Sequence, residues 1–129
     1  MAKKTNEVLR ELTFTISNNL PDTLRGKFQL EHVIWEFLED ANCLILTLVQ
    51  DRLLSDREVQ YTIKVFDEYV NLICHYLTNG EQIKLAMYWS YILNYINKEC
   101  LKEEKFESCS NIKKFKDLYF VVGSDTNNE

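Results

Sequence analysis

Leu9, Leu12, Ile16 and Leu20 recur at three- and four-residue steps near the start of the chain. That spacing places them on one face of a helix and predicts a first helix from about Thr5 to Asn19. Pro21 and Asp22 then stop and restart the chain, because a proline pushes the residue before it out of helical geometry. A second stripe of Ile34, Leu38, Ala41, Ile45, Leu48 and Arg52 is widened by Leu30, Val33, Phe37 and Leu44. It predicts one long helix from about Lys27 to Leu53, starting near Pro21 or Gly26, with a break allowed near Asn42.

The third helix carries the sharpest local signals. Ser55 and Glu58 have the spacing of a capping box, and Leu54 and Val59 that of a hydrophobic staple. Val59, Ile63, Phe66, Val70, Ile73 and Leu77 then alternate four- and three-residue steps, and Asn79-Gly80 is expected to end the helix in a left-handed cap. A fourth helix follows from about Glu81 to Glu103. Ala86, Trp89, Leu93, Ile96 and Cys100 form its main stripe, and Leu85, Tyr88, Ile92 and Tyr95 a second one beside it. Its polar face, Ser90, Asn94 and Asn97, is narrow and uncharged. The link between these two helices is so short that they are expected to be antiparallel neighbours.

After a charge-mixed link from Lys102 to Glu107, the residues Ile112, Phe115, Leu118 and Tyr119 predict a short helix from Ser110 to about Val121. The expected fold is all-α, an antiparallel four-helix bundle with a short additional C-terminal helix. One domain would cover residues 1–122, followed by a polar, frayed tail over 123–129.

Composition agrees with that pattern. The chain has 129 residues, of which 46% are hydrophobic and 27% charged, enough for one domain with a core of its own. With 3 Gly and 1 Pro, turn-dense sandwiches, barrels and phosphate-cradling loops are disfavoured. No pair among Cys43, Cys74, Cys100 and Cys109 has zinc-knuckle spacing. Cys43 and Cys74 interrupt apolar stretches and are expected as small buried hydrophobes, while Cys100 and Cys109 flank a charged segment and can approach each other. The N-terminus lacks the apolar run of a signal peptide, and the longest uncharged stretch, Leu85 to Asn97, is too short to span a bilayer. These features predict a cytoplasmic protein with no membrane partner.

Catalytic chemistry finds little support. His32 and Glu36 sit one helical turn apart, and Glu68 and His75 two turns apart, but no paired Glu-x-x-His motif of a di-iron bundle occurs. Cys74 and His75 are adjacent and so point about 100° apart on a helix. Cys100 lies beside Glu99 and near Glu103, which raises a thiol pKa. There is no G-x-S-x-G elbow. The expectation is a non-enzyme without cofactor or metal.

Charge distribution says more than the net of -5. Residues 1–30 carry five basic and three acidic groups, whereas residues 31–60 carry two basic and seven acidic ones. Glu36, Glu39 and Asp40 fall together on one side of the second helix. They form either a plain solvated face or an acidic docking surface for a protein partner with a basic patch. Tyrosines supply a second clue. Tyr69 and Tyr76 extend a second stripe on the third helix, and Tyr88, Tyr91 and Tyr95 do so on the fourth. These stripes are either core, a partner groove or a homodimer face.

The leading functional expectation is a protein-binding module. Chains of this size and acidity are often inhibitors, immunity or antitoxin partners, anti-defence proteins of mobile elements or accessory subunits, an association and not a derivation. One alternative is a small-ligand sensor with a pocket lined by Tyr69, Tyr76, Tyr88 and Trp89. Another is an accessory subunit of a nucleoprotein complex touching nucleic acid through Lys113, Lys114 and Lys116, although acidity and the interrupting Asp117 argue against direct nucleic-acid contact.

Overall fold

A computed structural model describes residues 5–127, with side chains described from 7 to 119. Six helices follow one another: α1 (Thr5–Asn18), α2 (Asp22–Leu30), α3 (His32–Leu46), α4 (Asp56–Cys74), α5 (Asn79–Lys102) and α6 (Phe106–Asn127). Among the described residues there is no strand, and no helix is long and apolar enough to cross a membrane.

The long second helix of the sequence reading is in fact two helices and a connecting segment. The break falls at Glu31, not Asn42, and Glu31 is extended with φ -112 and ψ 96. Its cause is the phase of the apolar residues. Leu24 and Phe28 of α2 and Ile34, Leu38, Ala41 and Ile45 of α3 are all buried, yet in one straight helix the two sets would face about 100° apart. One extended residue restores the phase, and it leaves Leu30 84% and Val33 45% exposed. Helix α3 ends at Leu46, and residues 47–55 form a non-helical segment in which Leu48, Val49 and Leu54 are buried.

Helix α4 starts as its sequence requires. Glu58 N–H donates to Ser55 Oγ at 3.2 Å, and Ser55 N–H donates to Glu58 Oε1 at 3.0 Å. Arg52 grips the same carboxylate at 2.6 Å. Its end differs from expectation: the helix stops at Cys74, and Asn79-Gly80 opens α5 without any positive φ. A second capping box explains the correction. Thr78 N–H donates to Glu81 Oε1 at 2.8 Å and Glu81 N–H to Thr78 Oγ1 at 3.2 Å, so Thr78 is an N-cap and the following Asn-Gly pair is drawn into the first turn. Lys27 of α2 reaches the same Glu81 at 3.0 Å and ties α2 to the start of α5.

The C-terminal helix is not short. It begins at Phe106 and its backbone continues to Asn127, through most of the expected tail, while residues 128–129 lie outside the described residues. The expected link shrinks to residues 103–105. There Glu104 takes φ 58, Lys105 N–H donates to Cys100 O at 2.8 Å and Glu104 N–H to Leu101 O at 3.1 Å. This is a Schellman end with glutamate in the position that favours glycine.

Helix α6 does two jobs. It completes the core, where Phe66 of α4 meets Trp89 of α5 at 5.0 Å, and Phe115 and Tyr119 of α6 at 5.5 Å each, all edge-on. Such ring pairs add about 0.5–1.5 kcal/mol each beyond burial. It also clamps residues 47–55. The fully buried Asn111 accepts from Leu54 N–H at 2.8 Å and donates to Leu48 O and Arg52 O at 3.1 Å each. Ser108 Oγ–H donates to Gln50 O at 2.9 Å, and Lys105 pairs with Asp51 at 2.5 Å. Helix α6 therefore lies against both α4 and α5, while α3 has its most extensive contact with α4 and α1 touches α3 and α5.

Candidate functional site

Glu36, Glu39 and Asp40 all reach solvent from α3. With His32 and Cys43 they occupy an arc of about 100° on the helix, opposite the buried Ile34, Ala41 and Ile45. Among the described residues none of the three acids has an ion pair or hydrogen bond, and His32 and Glu36 are not bonded to each other. Some acids elsewhere are engaged: Glu58 by Arg52, Glu81 by Lys27, Asp56 by Lys114 and Asp117 by Lys113. Glu31 and Glu68 are as free as the triad but stand apart from other acids, with none one helical turn away. Three like charges within one turn repel each other, at a few tenths of a kcal/mol per pair, unless something positive approaches.

Beside these acids a cavity of about 290 Å³ opens between α1 and α3. Ile16 of α1, Leu20 just beyond its end, and Trp35, Leu38 and Leu46 of α3 form its apolar walls. Glu39 and Cys43 belong both to this cavity and to the acidic face, so the two features are continuous. Asn42 also lines it, and its Oδ1 is buried without a hydrogen-bond donor. The unmet polar capacity here is anionic or accepting. An apolar group attached to a cation or donor fits that chemistry. Cys43 is exposed and not the buried hydrophobe expected of it, because α3 turns it away from the core.

Among the described residues no three His, Cys, Asp or Glu side chains converge as metal ligands would. Burial pushes the Cys100 thiol up to about 12 and raises Cys74 and Cys109 in the same direction, which suppresses their thiolates.

The tyrosines divide between core and surface. Tyr88 is 4% exposed and its hydroxyl donates to Ile16 O at 2.9 Å, joining α5 to α1, and burial raises its phenol well above the ordinary value. Tyr69 is half-buried against Phe37 at 6.1 Å. Tyr76 and Tyr91 are exposed, and Tyr95 stacks on Tyr91 at 6.4 Å. The five do not form one surface. Nor do they line the pocket expected between the third and fourth helices of the sequence reading. The cavity found there, about 180 Å³, is bounded by Val70, Cys74, Leu85 and Tyr119 and takes in Trp89 alone of the four expected residues.

Of the lysines, Lys113 and Lys116 border one open hollow with Asn97, Cys109, Ser110 and Asp117, and Lys114 does not line it. Lys113 pairs with Asp117 at 2.7 Å. Lys114 donates to Leu54 O at 3.0 Å and pairs with Asp56 at 3.2 Å, and Lys116 donates to Asn94 Oδ1 at 2.6 Å on α5. Each is engaged by a neighbour, and Lys114 and Lys116 lean toward different helices.

The chain matches no protein family, no curated protein and no solved structure. Sequence reasoning missed the α1–α3 cavity and Asn42, since both depend on which helix α1 packs against. The uninterrupted acids of α3 were the one signal available in advance.

Proposed function

We propose that the protein is a non-enzymatic binding module, in which an antiparallel bundle of helices presents α3 to a basic protein partner. The observation that carries this reading is the unpaired triad Glu36, Glu39 and Asp40 bordering an apolar cavity through Glu39. Complementary charge would bring the partner in and fix its orientation, and an apolar side chain seated against Trp35 and Leu38 would hold it. Inhibitors, immunity proteins and accessory subunits all work by such contacts, and the reading does not choose among them.

The test compares wild type with the Glu36→Lys/Glu39→Lys/Asp40→Lys variant as side-by-side baits for host proteins at low and high salt. A partner held by the wild type should bind the variant at least about tenfold more weakly, and should weaken with salt, because charges at the surface are screened over about 8 Å at physiological ionic strength. Far-UV circular dichroism should not change, since all three residues are exposed. Equal recovery of every bound protein by the two baits would remove the acidic face from function.

A further inference from the structure

Helix α5 carries charge of the opposite sign. Its exposed charged side chains, Lys84, Lys98 and Lys102, are all basic, and its two well-placed acids, Glu81 and Glu99, are half-buried and held by Lys27 and Lys102 at 3.0 and 3.1 Å. An apolar ridge runs past Lys84, and Lys98 lies two turns beyond its far end. Ile83 is 62% exposed, Met87 65% and Tyr91 51%, at steps of four residues along about 12 Å of helix. Neither Lys84 nor Lys98 has an ion pair or hydrogen bond among the described residues. Met87 and Tyr91 also wall a shallow hollow against Asn19 and Pro21 at the α1–α2 corner.

We infer that this ridge is a second docking surface, and that its occupant is an amphipathic helix of a partner protein with an apolar stripe flanked by acids. The spacing of the ridge is that of helix-on-helix recognition, in which anchors recur about once per turn. The free lysines supply the complement to acidic flanks. A second copy of α5 does not fit. Pairing two α5 helices antiparallel about Tyr91 sets Lys84 against Lys98, and in no register does a second α5 offer an exposed acid to meet these lysines. Nucleic acid fits less well. The ridge is largely aliphatic, and one face of the Tyr91 ring is already covered by Tyr95 at an interplanar angle of 25°, which leaves a poor stacking platform.

The test uses the full chain and fluorescein-labelled probes read by fluorescence anisotropy. The first probe is a short helix-forming peptide with leucines on one face and glutamates beside them. The others are its shuffled isomer, its lysine-for-glutamate version and a short oligothymidylate. The leucine–glutamate peptide should bind saturably, and the other two peptides at least about tenfold more weakly. Met87→Ser and Lys84→Glu/Lys98→Glu should each weaken the first peptide by about tenfold or more, and the α3 triple lysine variant should leave it unchanged. That last result keeps this surface distinguishable from the acidic one. No binding of the first peptide, equal binding of its shuffled isomer, preference for the lysine version, or tighter binding of the oligothymidylate each overturns the inference. If Met87→Ser loses helicity, the double lysine variant decides alone, because both its positions are exposed and unpaired.

Discussion

Replacing Asn111 with leucine tests the clamp that α6 places on residues 47–55. The side chain is fully buried and makes three hydrogen bonds, from Leu54 N–H and to the carbonyls of Leu48 and Arg52. Leucine has the same branched skeleton of side-chain heavy atoms and is somewhat bulkier, so the change removes polar partners without opening a cavity. It leaves one backbone donor and two acceptors in the interior, at about 1–3 kcal/mol for each unsatisfied group. Added apolar burial returns about 1–2 kcal/mol, so the expected net loss is about 1–8 kcal/mol, centred near 4 kcal/mol. A domain of 129 residues has a total stability of about 6–19 kcal/mol, so this one substitution removes a large share of it. Urea unfolding followed by circular dichroism measures the loss, and hydrogen exchange should show the Leu54 amide losing protection first. Asn111→Asp adds a second reading at neutral pH. It retains an acceptor for Leu54 N–H and turns a carboxylate oxygen toward two carbonyls, so it should be at least as damaging. A loss below about 1 kcal/mol for Asn111→Leu would show that the segment holds its shape without the clamp, and the reasoning would fail.

Two further predictions concern helix ends. Glu104→Gly should stabilise the protein by about 0.5–1 kcal/mol in the same urea assay, because glycine meets φ 58 without strain; a loss of stability would mean that the glutamate side chain contributes more than its backbone costs. Glu58 is held at about 2, below its ordinary 4.5, first by its bond with Arg52 and then by Ser55 N–H. A depressed carboxylate stabilises the fold above its unfolded pKa, and that contribution disappears as pH falls through the folded pKa. Wild type should therefore exceed Glu58→Gln in stability above pH 4.5 and converge with it near pH 2, and a difference independent of pH across that window would contradict the assignment.

How much of this was visible in the chain depends on the range of the interaction. Periodic burial is local, and the stripes Ile34–Leu38–Ala41–Ile45 and Val59–Phe66–Ile73 appear in the structure as the spacing implied. The Ser55–Glu58 box is equally local. The α2–α3 break was missed because Leu30 and Val33 look like core residues until their phase is compared with Phe28 and Ile34. Thr78 and Glu81 had the spacing of a cap, but Asn79-Gly80 between them suggested a helix end. The role of Asn111 was invisible, since its partners lie 57 to 63 positions away. The basic side of α5 was hidden by averaging. Glu81 and Glu99 cancel the lysines in any count along the chain, and only folding shows that these acids are paired and partly covered while Lys84 and Lys98 face out.

The position of α6 also sets an order on synthesis. Ribosomes deliver a chain from its N-terminus, yet Phe115 and Tyr119 fill the centre of the ring cluster and Asn111 holds the segment between α3 and α4. Helices α1 to α5 thus emerge with Phe66 and Trp89 missing neighbours and with the carbonyls of Leu48 and Arg52 unpaired. The nascent chain has its caps and stripes in place but cannot close its interior until α6 has cleared the exit tunnel, so α1 to α5 wait for their last helix before they fold.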